Sequence, residues 1–320
     1  IVCAGAGASG NRGELVYTVP ADFARHYPWL RRFGYETSYE CMGLLRDVKV
    51  PTGTKRAYFA QHAENQRFKF KPAPTYPALL QALERSSDDK EKKNYFVYTS
   101  NVDGNFERAG FDPSRVYAPQ GDWAWQQCST PCTRESYWAS RPALDQMLPH
   151  VPNIPDDVVK RCPRCGAEFA PNVRGGAFFT HAPHDAAQQR FIDWVHHVQQ
   201  QTEPSSSSSS SPGGKKKTKL VVLEIGCGYN TPTVTRLPME SIVRETDGAR
   251  LVRVNLDHAE VPIDLARAGK ALGISGRPWD VDLVDDLFPS SVNDDDDDDG
   301  RDDDDDDDDD DTLGGGPFYR

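Results

Sequence analysis

Short apolar runs that end in glycines or polar clusters recur along this 320-residue chain. Ile1–Ala4 runs into Gly5-Ala6-Gly7-Ala8-Ser9-Gly10, Tyr95–Thr99 into Asn101-Val102-Asp103, and Arg115–Ala118 into Gln120-Gly121-Asp122. Leu220–Ile225, broken only by Glu224, runs into Gly226-Cys227-Gly228-Tyr229-Asn230, and Leu251–Val254 ends in Asn255. These runs read as strands. Ala186–Gln201 sets Phe191, Val195 and Val198 on one helical face, and Leu79–Leu83 reads as a helical fragment behind a loop punctuated by Pro72, Pro74 and Pro77. The expected class is α/β: a Rossmann-like parallel sheet with helices on both faces, plus a small zinc-binding module. Ligands of open α/β sheets sit beyond the carboxyl ends of the strands. Asn94–Cys132, with two polar strand ends ahead of a cysteine pair, therefore reads as an active-site floor.

The cysteines sharpen that picture. Cys128-x3-Cys132 and Cys162-x2-Cys165 are two close pairs separated by 29 residues, and four thiolates on turns suit the tetrahedral shell of a structural zinc ion. Four sulfur ligands close that shell, which argues against a catalytic zinc. Redox chemistry at Cys162 and Cys165 is the competing reading, weakened because no βα unit puts Cys162 at a helix start. Cys3, Cys41 and Cys227 read as small core residues. Gly5, Ala6, Gly7 and Ser9 follow a strand, as in turns that bring backbone N–H groups up to a pyrophosphate. The string around Gly226 is similar to the nucleotide motif of adenosylmethionine-dependent methyltransferases. Asn230 replaces its third glycine, however, and only 90 residues follow, too few for the strands such a fold needs.

Charge changes little once it is localised. The net −12 is due to 294–311, where 16 aspartates accompany one arginine; the rest holds 36 basic and 33 acidic residues. A near-neutral body implies no nucleic-acid stripe. The aspartate run is expected to be disordered, and 204–217, rich in serine and lysine, a flexible insertion. No apolar run is long enough to span a bilayer. Free thiols fit a reducing, intracellular compartment, cytoplasmic or mitochondrial. The chain starts on a strand without an initiator Met, as a fragment would. Asp22–Arg32, with Phe33-Gly34-Tyr35, reads as an aromatic helical cap on the sheet, and His181, His184, Arg253 and Asp257-His258 as surface residues.

The frame Thr99-Ser100-Asn101-Val102-Asp103-Gly104-Asn105-Phe106-Glu107-Arg108-Ala109-Gly110, then Gln120-Gly121-Asp122, then Cys128, resembles the sirtuin family without a gap. Sirtuins carry T-Q-N-I-D-x-L-H-x-x-A-G, then H-G-S, then the first zinc cysteine eight residues after that His. Gly5-Ala6-Gly7-Ala8-Ser9 matches the first half of their G-A-G-x-S-x-x-S-G-I-P-D-F-R, with Gly13 for the later glycine. In the second half, Glu14-Leu15-Val16-Tyr17-Thr18 departs: Tyr17 stands for the Phe and Thr18 for the Arg. The catalytic His is Gln120. With Q-G-D and C-x3-C, the chain most resembles the macrodomain-linked class M sirtuins, which are protein ADP-ribosyltransferases.

The resemblance implies a single catalytic domain over 1–320. Its large part would be 1–127 with 166–292, carrying a small-domain helical insertion around 36–90, and 128–165 would be the zinc module. It implies NAD as co-substrate, held by Gly5, Ala6, Gly7, Ser9, Tyr17, Asn101, Asp103, Gln120, Gly226, Cys227, Asn230 and Asn255. Asn101, Asp103 and Gln120 would be catalytic, and Trp279-Asp280-Val281 would close over adenine. Pro171-Asn172-Val173-Arg174-Gly175-Gly176-Ala177-Phe178-Phe179 would take the place of the substrate-pairing loop. The implied partners are a protein substrate such as a lipoate-carrying H-like protein, and a macrodomain hydrolase. Sirtuin deacylation needs a base to take a proton from a ribose hydroxyl, which imidazole provides near neutral pH. A carboxamide only donates and accepts hydrogen bonds. ADP-ribosyl transfer with little deacylation is therefore expected. A weak deacylase and a nucleotide-sensing module are the alternatives.

Overall fold

Apolar strands only two to six residues long carry the main sheet, and nearly every residue in them is buried except on the last, edge strand. The computed structural model describes residues 1–9, 17–85, 94–175, 178–202 and 219–277. Gly10, Gly13, Glu14, Leu15, Val16, the 204–217 segment, Trp279-Asp280-Val281 and the aspartate run lie outside these residues. Nine strands are present among the described residues: β1 Val2–Ala4, β2 Val97–Thr99, β3 Val116–Tyr117, β4 Gly121–Cys128, β5 Tyr137–Ala139, β6 Phe169–Val173, β7 Val221–Ile225, β8 Arg250–Asn255 and β9 Ala271–Ser275. The α-helices are α1 Pro20–His26, α2 Thr52–Ala63, α3 Thr75–Arg85, α4 Asn105–Arg108, α5 Arg141–Met147, α6 Asp185–Thr202, α7 Arg236–Glu245 and α8 Ile263–Arg267.

Six strands form one parallel sheet in the order β3-β2-β1-β7-β8-β9. With the three strands of the second sheet set aside, this is the doubly wound order 3-2-1-4-5-6, whose direction reverses between β1 and β7. Side chains alternate between the two faces. Cys3, Phe96, Tyr98, Val222 and Leu251 pack with Phe191, Val195 and Val198 of α6 and Met239 and Val243 of α7. Val2, Ala4, Val97, Leu223, Ile225 and Val254 pack on the other face with Tyr76 and Leu79 of α3 and Phe106 of α4. Cys3 and Cys227 are buried here as small core residues.

The second sheet is antiparallel, β5-β4-β6. Pro171-Asn172-Val173 belongs to β6 and pairs with β4, so this part of the expected substrate-pairing loop is occupied internally. The segment following residue 20 also differs from the sequence reading. Phe23, Tyr27 and Leu30 do not cap the sheet; they form a separate small core with Cys41, Leu44, Val50 and Tyr58 of α2. No helix among the described residues is long and apolar enough to cross a membrane.

Arg253 is not a surface residue. It is 2% exposed on β8, grips Glu224 of β7 through Nε (2.7 Å) and Nη2 (2.9 Å), and reaches Glu240 of α7 at 2.8 Å. Glu224 interrupts the apolar pattern of β7 because a guanidinium meets it across the sheet. Arg253→Met leaves Glu224 only the longer contact to Arg236 (3.6 Å) and Glu240 only Arg244 (3.8 Å), and a loss of about 3 kcal/mol is expected in urea unfolding. A surface arginine would lose under about 1 kcal/mol.

Candidate active site

The carboxyl ends of β1 and β7 meet at the reversal of strand order, and two glycine turns pack backbone on backbone there. Gly5 N donates to Ile225 O (3.0 Å) and Gly7 N to Gly226 O (3.0 Å). Gly226 adopts φ +62°, the left-handed region that glycine enters without a Cβ penalty. On the far side, the Asn255 amide at the end of β8 donates to Cys227 O at 2.9 Å. Gly5, Gly7, Gly226, Cys227 and Asn255 are thus one contiguous floor. Ala6 is exposed on the 3₁₀ turn Ala6–Ser9. Asn230 is exposed on the second turn and is not tied to this floor by any hydrogen bond among the described residues.

Asn101, after β2, donates through Nδ2 to Gly5 O (3.0 Å) and to Ser9 Oγ (3.2 Å). Ser9 Oγ donates to Asp103 Oδ2 (3.1 Å) and lies 2.9 Å from Tyr76 Oη. Asp103 also accepts from the backbone N and the side-chain amide of Asn105, both at 3.0 Å. Burial pushes the Asp103 carboxyl up; the Asn105 backbone N–H and Ser9 oppose that rise. The first glycine turn and the β2 end therefore form one connected network through Ser9.

Gln120 precedes β4 on a turn closed by Gly121, whose φ is +100°. Its backbone carbonyl accepts from Arg174 N (2.8 Å), and its carboxamide makes no hydrogen bond within the described residues. Trp123 N donates to Val102 O at 3.0 Å, tying the Gln120 turn to the Asn101–Asp103 segment. Arg67 holds Asp122 at 2.8 Å and lies against Gly104. Two histidines lie nearby, and both are engaged. His62 sits between the Tyr17 and Tyr27 hydroxyls, and burial lowers its pKa to about 3. His184 is half-buried, contrary to the surface reading, and its Nε2 lies 2.6 Å from Asn172 Oδ1. Neither is a free base for the Gln120 position.

Tyr17 reaches the same neighbourhood. The residue as a whole is 39% exposed, but its hydroxyl end lies against the buried His62, where desolvation and then the charge of Asp103 push the phenol up. Tyr76, Arg67 and His62 were not legible as site residues. Each meets its partner across 45 to 67 positions of chain, and no local motif carries that pairing.

The four thiols of Cys128, Cys132, Cys162 and Cys165 lie within 4.8 Å of one another, with Sγ–Sγ distances of 3.4 Å (Cys128–Cys165) and 3.6 Å (Cys132–Cys162). Zinc–sulfur bonds of about 2.3 Å in a tetrahedron require edges of about 3.8 Å, so the cluster fits a zinc ion. It sits where β4 ends and the loop before β6 returns.

No protein-family model matches the chain. It is similar to a solved Sir2 homologue in complex with NAD, at TM-score 0.53 and 18% identity over 90% of this chain and 87% of that one. A mutant Sir2 homologue bound to ADP-ribose is similar at TM-score 0.51 and 17% identity, over 90% and 89%. This chain has the sirtuin fold. Among curated relatives, a protein of Fusarium oxysporum f. sp. cubense named probable bifunctional ADP-ribose hydrolase/ADP-ribosyltransferase is 29% identical over 284 residues. That match covers 86% of this chain but 43% of the fungal protein, so this sirtuin-fold chain spans less than half of that relative. A Staphylococcus aureus protein named protein ADP-ribosyltransferase is 24% identical over 269 residues, 82% of this chain and 75% of that protein.

Proposed function

We propose that the chain is an NAD-dependent protein ADP-ribosyltransferase of the sirtuin type. The nicotinamide–ribose bond breaks, its electron pair leaving with the nicotinamide nitrogen as neutral nicotinamide. The ribose carbon passes through an oxocarbenium-like state, and a nucleophilic atom of a protein side chain forms the new bond, any proton it carries passing to water. The glycine floor would take the dinucleotide, Asp103 the carboxamide of nicotinamide, and Asn101 the ribose or the incoming group. The four cysteines would hold one structural zinc ion outside the chemistry.

The observation that carries this reading is Gln120. Its carboxamide is uncommitted and has no titrating proton, and the neighbouring histidines are engaged elsewhere. Acyl transfer from lysine to ribose loses about 10²–10⁴-fold without a general base, whereas departure of nicotinamide needs none. The names of the fungal and staphylococcal relatives support the same reading. The finer partners, a lipoate-carrying H-like protein as acceptor and a macrodomain hydrolase to reverse the modification, rest on the resemblance. The bifunctional name of the longer fungal relative agrees with the second.

The test is label transfer to protein from NAD radiolabelled in the ADP-ribose part. Wild type should label protein, and Gln120→Ala should label it at least about tenfold more slowly, as expected for loss of one orienting donor. Equal labelling removes Gln120 from the mechanism. Robust release of acyl-ADP-ribose from an acyl-lysine peptide means a deacylase. Dinucleotide binding without nicotinamide release means a sensing module.

A further inference from the structure

A line of hydrogen bonds through the small aromatic core ends at Tyr17 with one donor unspent. It begins at Gln61, whose Nε2 donates to Asn65 Oδ1 at 3.0 Å. That leaves the Asn65 amide nitrogen facing Tyr27, to whose hydroxyl it donates at 3.4 Å. Tyr27 is 0% exposed, and His62 Nδ1 at 2.9 Å is the acceptor open to its own proton among the described residues. A buried hydroxyl is not left without an acceptor, so Tyr27 donates to Nδ1. His62 is 2% exposed and neutral, stacked on Tyr58 and packed edge-on against Trp123, and has one N–H to place. With Nδ1 accepting, the proton sits on Nε2 and is donated to Tyr17 Oη at 3.0 Å. Every link runs in one direction. Tyr17 Oη already accepts, and its own hydrogen has no partner among the described residues.

Asp103 lies on the adjoining segment: His62 packs on Trp123 at 5.2 Å, and Trp123 N donates to the carbonyl of Val102, the residue before Asp103. Three bonds occupy its two oxygens, two on Oδ2 and one on Oδ1, and a carboxylate accepts about four. A spare acceptor and a spare donor on adjoining segments complement a primary carboxamide, which offers N–H to one and C=O to the other.

We propose that Tyr17 donates its hydroxyl hydrogen to the carboxamide oxygen of the nicotinamide group, with His62 as the positioning residue that fixes the direction of that donor. The assignment deepens the transfer reading above and rests on it for the identity of the ligand. A phenylalanine at position 17 would cover the ring equally well and lack this bond.

Calorimetric titration of wild type, Tyr17→Phe, His62→Phe and the double variant with nicotinamide, thionicotinamide and ADP-ribose decides the matter without turnover. Tyr17→Phe should weaken nicotinamide by about 5- to 10-fold, the scale of one neutral hydrogen bond, while ADP-ribose changes by less than about twofold. His62→Phe should weaken nicotinamide in the same direction, and the double variant no further than Tyr17→Phe alone. Wild type should prefer nicotinamide to thionicotinamide, whose sulfur is a poor acceptor, and Tyr17→Phe should lose that preference. If His62→Phe does not fold, the Tyr17→Phe ratios decide. Unchanged nicotinamide affinity in Tyr17→Phe overturns the proposal. So does an equal loss for nicotinamide and ADP-ribose, or a wild type that does not bind nicotinamide. A wild type that binds both ligands yet releases no nicotinamide from NAD defeats the transfer reading and leaves Tyr17 to be judged on the affinity ratio.

Discussion

Cys162→Ser is expected to give a chain without stoichiometric zinc and without measurable label transfer. Structural zinc contributes roughly 10–16 kcal/mol of apparent binding free energy, and in small modules that is folding free energy. The second sheet has little apolar core near the four thiols to replace it. Cys128 and Cys162 are themselves buried there, beside the buried and polar Ser136, and Trp138 stacks on Phe169 at 4.4 Å. Loss would not stay local. Cys128 ends β4 and Gly121, next to Gln120, begins it, with β6 paired at both ends through Phe169 and Val173. Elemental analysis, circular dichroism and transfer rate during titration with a strong chelator should fall together. A metal-free variant with full transfer activity would show that the thiols need no ion.

Gly226→Ala is expected to abolish NAD binding and to destabilise the chain by about 3 kcal/mol or more, at the upper end of single substitutions. Two effects add. The residue sits at φ +62°, and a Cβ there would lie 2.4 Å from both Ala8 N and Gly7 C. Those are backbone atoms of the opposing turn, which cannot rotate away. Gly228 lies two residues on, and a Cβ added to it meets nothing within 4 Å. Gly228→Ala should therefore keep the unfolding midpoint within the usual scatter of a surface change, about 0.5 kcal/mol. Urea unfolding and NAD titration of both variants make the comparison; similar losses in both would mean that the close approach of the two turns is unimportant.

What could be read from sequence was whatever is written locally. The glycine turn at Gly5–Ser9, the polar ends at Asn101–Asp103 and Gln120–Asp122, and the cysteine pairs each lie within a few residues. The apolar face of α6 was legible because Phe191, Val195 and Val198 repeat at helical spacing and all three are buried. By contrast α2 buries Thr54, Ala57, Tyr58, Ala60, His62 and Ala63, which wrap too far round the helix to leave one apolar stripe. Phe23, Tyr27 and Leu30 do repeat at helical spacing, but that stripe does not say which surface it meets, and its partner is α2 rather than the sheet. Arg253 was misread for a related reason. Its partner Glu224 lies 29 positions away on a neighbouring parallel strand, and a lone charge inside a short apolar run looks like a strand position that faces solvent.

The pairing of Glu224 with Arg253 has a consequence for how the sheet assembles. The two residues face each other in register across β7 and β8. Sliding one strand by a single position turns its side chains to the opposite layer, which would break the pair and carry one of the two charges into hydrocarbon. Runs of valine, leucine and isoleucine tolerate such slippage poorly but do not forbid it. The ion pair works as a key between two nearly featureless strands, and it rejects alignments that would set Gly226 and Asn255 out of step.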